Sequence, residues 1–109
     1  MKQKQLVFVI SSAAYSEANG TLISTGAIKT KIEEVAKYVV EDCNEIVDSF
    51  NEGLDKKDQF KKASYAQVLR KLKSKGVQTA LKNKARIDIL KTPEEMNYWV
   101  TWVVQAEFI

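Results

Sequence analysis

Residues 28–53 read IKTKIEEVAKYVVEDCNEIVDSFNEG, and this stretch decides the fold. Its apolar residues recur at steps of three and four, so that seven of them fall on one stripe of a helix: Ile28, Ile32, Val35, Val39, Cys43, Ile46 and Phe50. Thr30 and Glu33 have the spacing of a capping box, and Gly53 is suited to the left-handed residue that follows a helix. We therefore predict a long amphipathic helix over 28–52 whose apolar stripe packs on the core.

The opposite face of this predicted helix is mostly acidic, with Glu33, Glu34, Lys37, Glu41, Asn44, Glu45 and Asp48. Such a face meets solvent or a basic partner. Cys43 belongs to the apolar stripe, where a free cysteine acts as a small buried hydrophobe rather than as a reactive thiol.

A β-hairpin is predicted before this helix. Residues 5–11 are rich in β-branched and aromatic residues and are apolar on both faces, as in a strand near the middle of a sheet. Asn19 and Gly20 both tolerate positive φ angles and are typical of a hairpin turn. Residues 21–25 would form the returning strand.

The segment after the long helix predicts a loop and then a second helix. Residues 54–62 are polar and would form a loop that Phe60 anchors on the core. Ser64 and Gln67 again have capping-box spacing and would begin a helix that ends at Gly76. Its apolar side holds Tyr65, Val68, Leu69 and Leu72, and its outward face holds Gln67, Arg70, Lys71 and Ser74, with Lys73 and Lys75 on the flanks.

Residues 77–90 allow two interpretations. Residues 77–82 and 86–90 alternate as two strands of a hairpin around Asn83 and Lys84, whereas a short helix over 78–84 fits nearly as well.

The C-terminal segment is predicted to contain one helical turn and a strand. Thr92 and Pro93, followed by two acids, are typical of a helix start. Residues 98–107 are dense in the residues that strands prefer, which indicates a C-terminal strand. A helix with Met96, Trp99, Val100 and Val103 on one face is the alternative.

These elements predict a single α+β domain over residues 1–109, in the order ββα-α-βββ. A mainly antiparallel sheet would pack against the long amphipathic helix, and a second short helix would carry a basic surface. A chain of 109 residues with 45% hydrophobic composition is long enough for one core.

Charge is segregated along the chain. Residues 28–54 hold three lysines and seven acids, whereas residues 59–86 hold nine cations and no acid. A polyanion would relieve the repulsion among these cations, although a solvated basic face is the alternative. The side chains that we expect to bind nucleic acid are Gln67, Arg70, Lys71, Lys73, Lys75, Lys82, Lys84 and Arg86.

Residues 64–90 resemble the recognition helix and wing of a winged-helix DNA-binding domain, because a capped basic helix precedes a predicted hairpin. The resemblance is local and covers about a quarter of the chain. It implies that the outward face of the second helix reads the major groove and that the hairpin cations Lys82, Lys84 and Arg86 contact phosphates.

The composition excludes several classes of site. With no His and one Cys, the chain cannot form the usual metal clusters, an internal disulfide or a His-dependent catalytic triad. No catalytic residue, metal site or cofactor is predicted, and a His-free, metal-free basic ribonuclease is the one enzymatic alternative. The longest apolar run, residues 6–10, is too short to cross a membrane, and we expect a cytoplasmic protein.

We therefore expect a small non-enzymatic nucleic-acid-binding or regulatory module. The alternative is a protein-binding inhibitor, adaptor or small assembly subunit that acts through the acidic helix face or the C-terminal aromatic strand. Tyr98, Trp99 and Trp102 in that strand would fill the core or form a base-stacking platform. If residues 98–107 lie at a sheet edge, they would pair with a second copy and bury Trp99 or Trp102 in a homodimer interface.

Overall fold

The computed structural model describes residues 5–17 and 20–108, apart from the Thr25 side chain. The elements are β1 (Leu6–Ser16), β2 (Gly20–Lys29), α1 (Ile32–Asn51), a 3-10 turn (Lys56–Asp58), α2 (Tyr65–Lys73), α3 (Lys75–Lys82), β3 (Ile87–Lys91) and β4 (Tyr98–Phe108). All strand pairs are antiparallel, and α1 packs on the sheet, so the predicted α+β class is confirmed.

The four strands lie in the order β2-β1-β4-β3, as two hairpins joined by a long central pair. That pair runs from Leu6 opposite Phe108 to Ser16 opposite Tyr98. Strand β4 is therefore an interior strand with a neighbour on each side. The expectation that residues 98–107 lie at a sheet edge is wrong, because β1 and β3 occupy both of its hydrogen-bonding edges.

The N-terminal hairpin is confirmed, although both strands are longer than predicted. Gly20 has φ 72°, and Asn19 lies outside the described residues. Strand β2 continues to Lys29, which pairs with Phe8, so Ile28 belongs to this strand and not to the helix. Pairing with β1 stabilises an extended backbone here. The periodicity of residues 28–53 does not reveal this pairing, because the partner residues lie about twenty positions earlier in the chain.

Helix α1 begins four residues later than predicted. Its N-cap is Lys31, which makes no side-chain capping bond, so the predicted capping box of Thr30 and Glu33 is wrong. The rest of the prediction holds, because Val39 and Cys43 are buried on the inner stripe and Gly53 has φ 78° just after the helix.

The loop after α1 is anchored on the core as predicted. The rings of Phe50 and Phe60 meet edge to face with centroids 5.9 Å apart. The Asn51 side chain accepts a 2.7 Å hydrogen bond from the Phe60 N–H and donates one to its carbonyl. These bonds satisfy loop backbone groups that no strand or helix pairs.

Residues 75–82 form helix α3, so the predicted strand over 77–82 is wrong, as is the stop at Gly76. Helix α2 has the predicted Ser64 cap, and α3 begins directly after the extended residue Ser74. The Gln78 amide donates a 2.8 Å hydrogen bond to the Leu72 carbonyl, which lies in the last turn of α2. This bond satisfies a carbonyl at a helix end and secures the corner between the two helices. The hairpin predicted over residues 77–90 does not form, because residues 75–82 are helical.

The predicted helical turn after Thr92 is also wrong, because β3 and β4 are joined by a tight turn. Met96 and Asn97 have φ values of 49° and 62°, as a two-residue hairpin turn requires, and they lie between the paired residues Glu95 and Tyr98. Thr92 is buried, and its hydroxyl accepts a 3.0 Å hydrogen bond from the Val100 N–H. The strand prediction for 98–107 is confirmed.

The core lies between the helices and one face of the sheet. Alternate residues of the central pair point into it, including Ile10 opposite Val104, and α1 contributes Val35 and Val39. Within the described part of the chain, no helix is long and apolar enough to cross a membrane.

Candidate nucleic-acid interface

The opposite face of the sheet carries the side chains that alternate with the core residues, and we call it the open face. Its described residues include members of all four strands: Val9, Ser11, Ala13 and Tyr15 on β1, Ile23 and Ile28 on β2, Trp99, Thr101 and Val103 on β4, and Asp88 and Lys91 on β3. Two neighbouring grooves lie on this face and share Tyr15, Asp88 and Thr101. The face therefore presents aromatic rings and hydroxyl groups on a rigid surface.

An aromatic stack crosses the open face. Tyr15 and Trp99 are paired on adjacent strands, and their rings stack with centroids 5.2 Å apart at an angle of 17°. The Lys91 ammonium lies 5.1 Å from the centroid of the Trp99 ring. Trp99 is thus flanked by an aromatic ring on one side and a cation on the other, which combines stacking and cation–π attraction.

Two cations from the predicted basic segment reach the margin of this face at β3. The Lys71 ammonium on α2 donates a 2.8 Å hydrogen bond to the Asp88 carbonyl of this edge strand. Lys71 and Lys91 line one groove with Trp99, and Arg86 lines the other. The groove that Lys71 and Lys91 line is open to solvent and has a volume of about 520 Å³.

The charge of the open face is not uniform. The carboxylate of Asp88 lies among the cations of the β3 margin, since it shares grooves with Arg86, Lys71 and Lys91. At the other end of the aromatic stack, Glu17 and Glu94 line a third groove with Tyr15 and Trp99. An anionic ligand would therefore lie along the β3 margin rather than across the whole face.

The remaining predicted nucleic-acid residues are distributed over other surfaces. Lys73 lies 3.5 Å from Glu33, and the Lys84 ammonium lies over the Phe108 ring. The pKa of Glu33 is below its ordinary value, first because its carboxylate accepts a hydrogen bond from its own backbone N–H and further because of Lys73. The other predicted residues are exposed on α2 and α3, namely Gln67, Arg70, Lys75 and Lys82.

The two predicted interface tryptophans lie on opposite faces of β4. Trp102 is fully buried, and its indole N–H donates a hydrogen bond to Asp42, so the prediction of Trp102 as an interface residue is wrong. Tyr98 also faces the core, where its ring meets Phe50 edge to face. Of the three aromatic residues considered for a platform, Trp99 is the one on the open face.

Tyr15 and Lys91 are site residues that the sequence did not reveal. Tyr15 lies beyond the predicted end of the first strand, and Lys91 lies just beyond the predicted strand 86–90. Residues 9–15 read VISSAAY and do not alternate between apolar and polar residues, so the local pattern gave no signal that the strand continues to Tyr15. Their convergence on Trp99 depends on strand register, which the local pattern does not contain.

The open face presents groups that can contact a ligand. Ser11 and Thr101 offer hydroxyl groups, the stack offers aromatic surface, and the β3 margin offers cations. Among the described residues, no group of three or more His, Cys, Asp or Glu side chains could hold a metal ion.

No protein-family model matches this chain, and neither a curated protein nor a solved structure matches it. The geometry of the open face is therefore the basis on which we infer a function.

Proposed function

We propose that this protein is a small non-enzymatic module that binds single-stranded nucleic acid on the open face of its sheet. The observation that carries this proposal is the stack of Tyr15 and Trp99 beside the cations of the β3 margin. Proteins that bind single strands combine aromatic stacking with a cationic track for the backbone, and both features are present on this face.

The arrangement favours a defined orientation of the strand. Phosphates would follow the β3 margin, where Lys71, Arg86 and Lys91 provide positive charge. Bases would point towards β4 and β1 and stack on the face of the Tyr15 ring that is turned away from Trp99. Duplex DNA keeps its bases stacked internally, so it would gain the phosphate contacts without the stacking.

Binding would be tested by fluorescence anisotropy with labelled oligothymidine and oligouridine of about sixteen nucleotides and with a duplex of equal length. Three phosphate contacts predict a slope of log K against log salt of about −2 for a single strand. We expect tighter binding to single strands than to the duplex. Absence of binding to all three probes at low salt would overturn the proposal. Tighter binding to the duplex would also overturn it and would favour the exposed face of α2 as the binding surface.

Two matched pairs of variants test whether binding depends on the open face or on the overall charge and hydrophobicity of the protein. Tyr15→Ala should weaken binding about fivefold or more, because a base would stack on the free face of this ring and each stacked base contributes about 1–3 kcal/mol. Its control is Phe108→Ala, which removes an exposed ring with a lysine over it on the other face of the sheet. Arg86→Glu should also weaken binding, whereas Lys56→Glu in the exposed 3-10 turn should not.

A second candidate function, capture of a protein partner, rests on a groove beside α1. Val40 and the exposed ring of Tyr65 line this groove, which has a volume of about 390 Å³. Its rim is mostly acidic, with Glu33, Glu34, Lys37 and Glu41. A partner segment that is apolar and basic would complement it.

The two functions are distinguished by a pull-down from the native host with nuclease treatment. A protein partner bound in the α1 groove should be lost with Tyr65→Ala and Glu41→Lys and retained with Arg86→Glu. The opposite pattern, together with loss after nuclease treatment, would show that nucleic acid bridges the captured proteins.

A further inference from the structure

The two edges of the sheet differ in how well they are protected against pairing with another strand. Edge strand β3 has five residues, carries the charged residues Asp88 and Lys91, and has one of its carbonyls bonded by Lys71. Short length, charge and coverage of backbone groups are the usual protections of an edge strand. The β3 edge is therefore unsuited to pairing with another chain.

Edge strand β2 is neither short nor charged over most of its length, although it carries one bulge. It has ten residues, and residues 20–28 carry no charge. Three large apolar side chains of this strand are mostly exposed, with Leu22 at 68%, Ile23 at 72% and Ile28 at 61%. Lys29 is the last residue of the strand and is charged, but its ammonium group lies over the ring of Tyr38 on α1.

The bulge in β2 makes this edge self-complementary. Ile28 follows Ile23 by five positions, an odd number, so a regular strand would place them on opposite faces of the sheet. Gly26 is the extra residue, because Ile10 pairs with Ala27 and the next residue, Ser11, pairs with Thr25. Ile23 and Ile28 consequently both lie on the open face, opposite Ala13 and Val9.

We infer that this protein forms a homodimer in which β2 pairs antiparallel with β2 of a second copy. In the register centred between Thr25 and Gly26, Ile23 lies opposite the partner's Ile28, and two-fold symmetry repeats the contact. Directly opposed residues of an antiparallel pair lie on the same face, and this register satisfies that condition for both isoleucines.

A second copy is the occupant that this edge fits best. An uncharged strand can approach its own copy without repulsion between like charges, and the pairing covers apolar side chains that water otherwise surrounds. The two-fold axis lies perpendicular to the sheet, so the product is one eight-stranded sheet with both open faces on the same side. This inference does not depend on the ligand of the open face.

Light scattering on the purified chain without nucleic acid tests the inference. The wild type should have about twice the 12.3 kDa chain mass at micromolar concentration, with little change in half-molar salt. Ile23→Lys and Ile28→Lys should each give a monomer with an unchanged circular dichroism spectrum, because both side chains are exposed within one copy. Met96→Lys, which alters a side chain that is 92% exposed outside β2, is the matched control and should remain dimeric.

Cross-linking tests the register. In a Cys43→Ala background, Ile23→Cys with Ile28→Cys should give a disulfide-linked dimer on mild oxidation, since directly opposed residues meet the distance requirement. Leu22→Cys with Ile28→Cys should not, because these positions lie on opposite faces. A monomeric wild type would overturn the inference, as would a dimer that survives both lysine substitutions or fails to cross-link through positions 23 and 28.

Discussion

The indole Nε1 of Trp102 on β4 donates a 2.9 Å hydrogen bond to Oδ2 of Asp42 on α1. The Trp102 side chain is fully buried, so this carboxylate is the acceptor that satisfies the only polar group of a large core residue. The bond also fixes the position of α1 relative to the centre of the sheet.

The first prediction concerns this contact. Asp42→Ala should lower the free energy of unfolding by about 1–3 kcal/mol, because it leaves the buried indole N–H without an acceptor. Asp42→Asn keeps an oxygen at the same place and should cost less. Urea unfolding followed by circular dichroism measures both changes, and equal stability of the wild type and the alanine variant would contradict the role given to Asp42.

The second prediction concerns the close approach of β2 and α1. A Cβ atom at Gly26 would lie 2.7 Å from the hydroxyl oxygen of Tyr38. Gly26→Ala should therefore lower the free energy of unfolding by about 1 kcal/mol, since the ring must shift in a packed environment.

Removal of the obstructing atom supplies the control for that experiment. Tyr38→Phe leaves ring carbons at 3.3 Å or more from the new methyl group, so the double variant should recover part of the loss. Additive losses in this double-mutant cycle would show that the Tyr38 hydroxyl is not the obstacle.

The third prediction concerns pH. Burial, and to a lesser extent the charge of Asp42, raises the pKa of the Cys43 thiol from 9.0 to about 11. Between these pH values the unfolded chain releases a proton that the folded chain keeps, so the free energy of unfolding should fall as pH rises. The loss should reach about 3 kcal/mol.

Comparison with Cys43→Ala isolates this contribution, because lysine and tyrosine titration affects both chains equally. The free energy of unfolding of the wild type, measured relative to that of the variant, should be constant below pH 9 and should fall towards pH 11. A thiol reagent should also fail to modify the folded wild type at pH 8 while it modifies the unfolded chain. A constant difference across the range would mean that the thiol titrates normally.

The fourth prediction concerns the carboxylate on the open face. Asp88→Asn removes a negative charge from the cationic margin and leaves the Lys71 bond intact, because Lys71 contacts the Asp88 backbone carbonyl. Affinity for single-stranded nucleic acid should rise up to about fivefold, as expected for an exposed charge. Asp55→Asn, in the exposed loop before the 3-10 turn, should leave the affinity unchanged. An equal gain in both variants would indicate a general charge effect.

The sequence by itself determined the elements whose signals are local. The apolar stripe of α1, the Ser64 cap of α2 and the turn signal before β2 all depend on residues within a few positions of each other. Helical hydrogen bonds join residues four apart, so the pattern that forms them is present in a short window. Composition likewise identified residues 98–107 as a strand.

Only the tertiary structure decided which strand lies at an edge and which side chains share a face. Ile28 continues a helical stripe in the sequence, but pairing with β1 places it in β2. Trp99 and Trp102 have the same local composition, yet one stacks on Tyr15 and the other is buried against Asp42. Sheet partners and register join residues that are distant in the chain, and the free energy that selects them comes from packing one whole face of the sheet against α1.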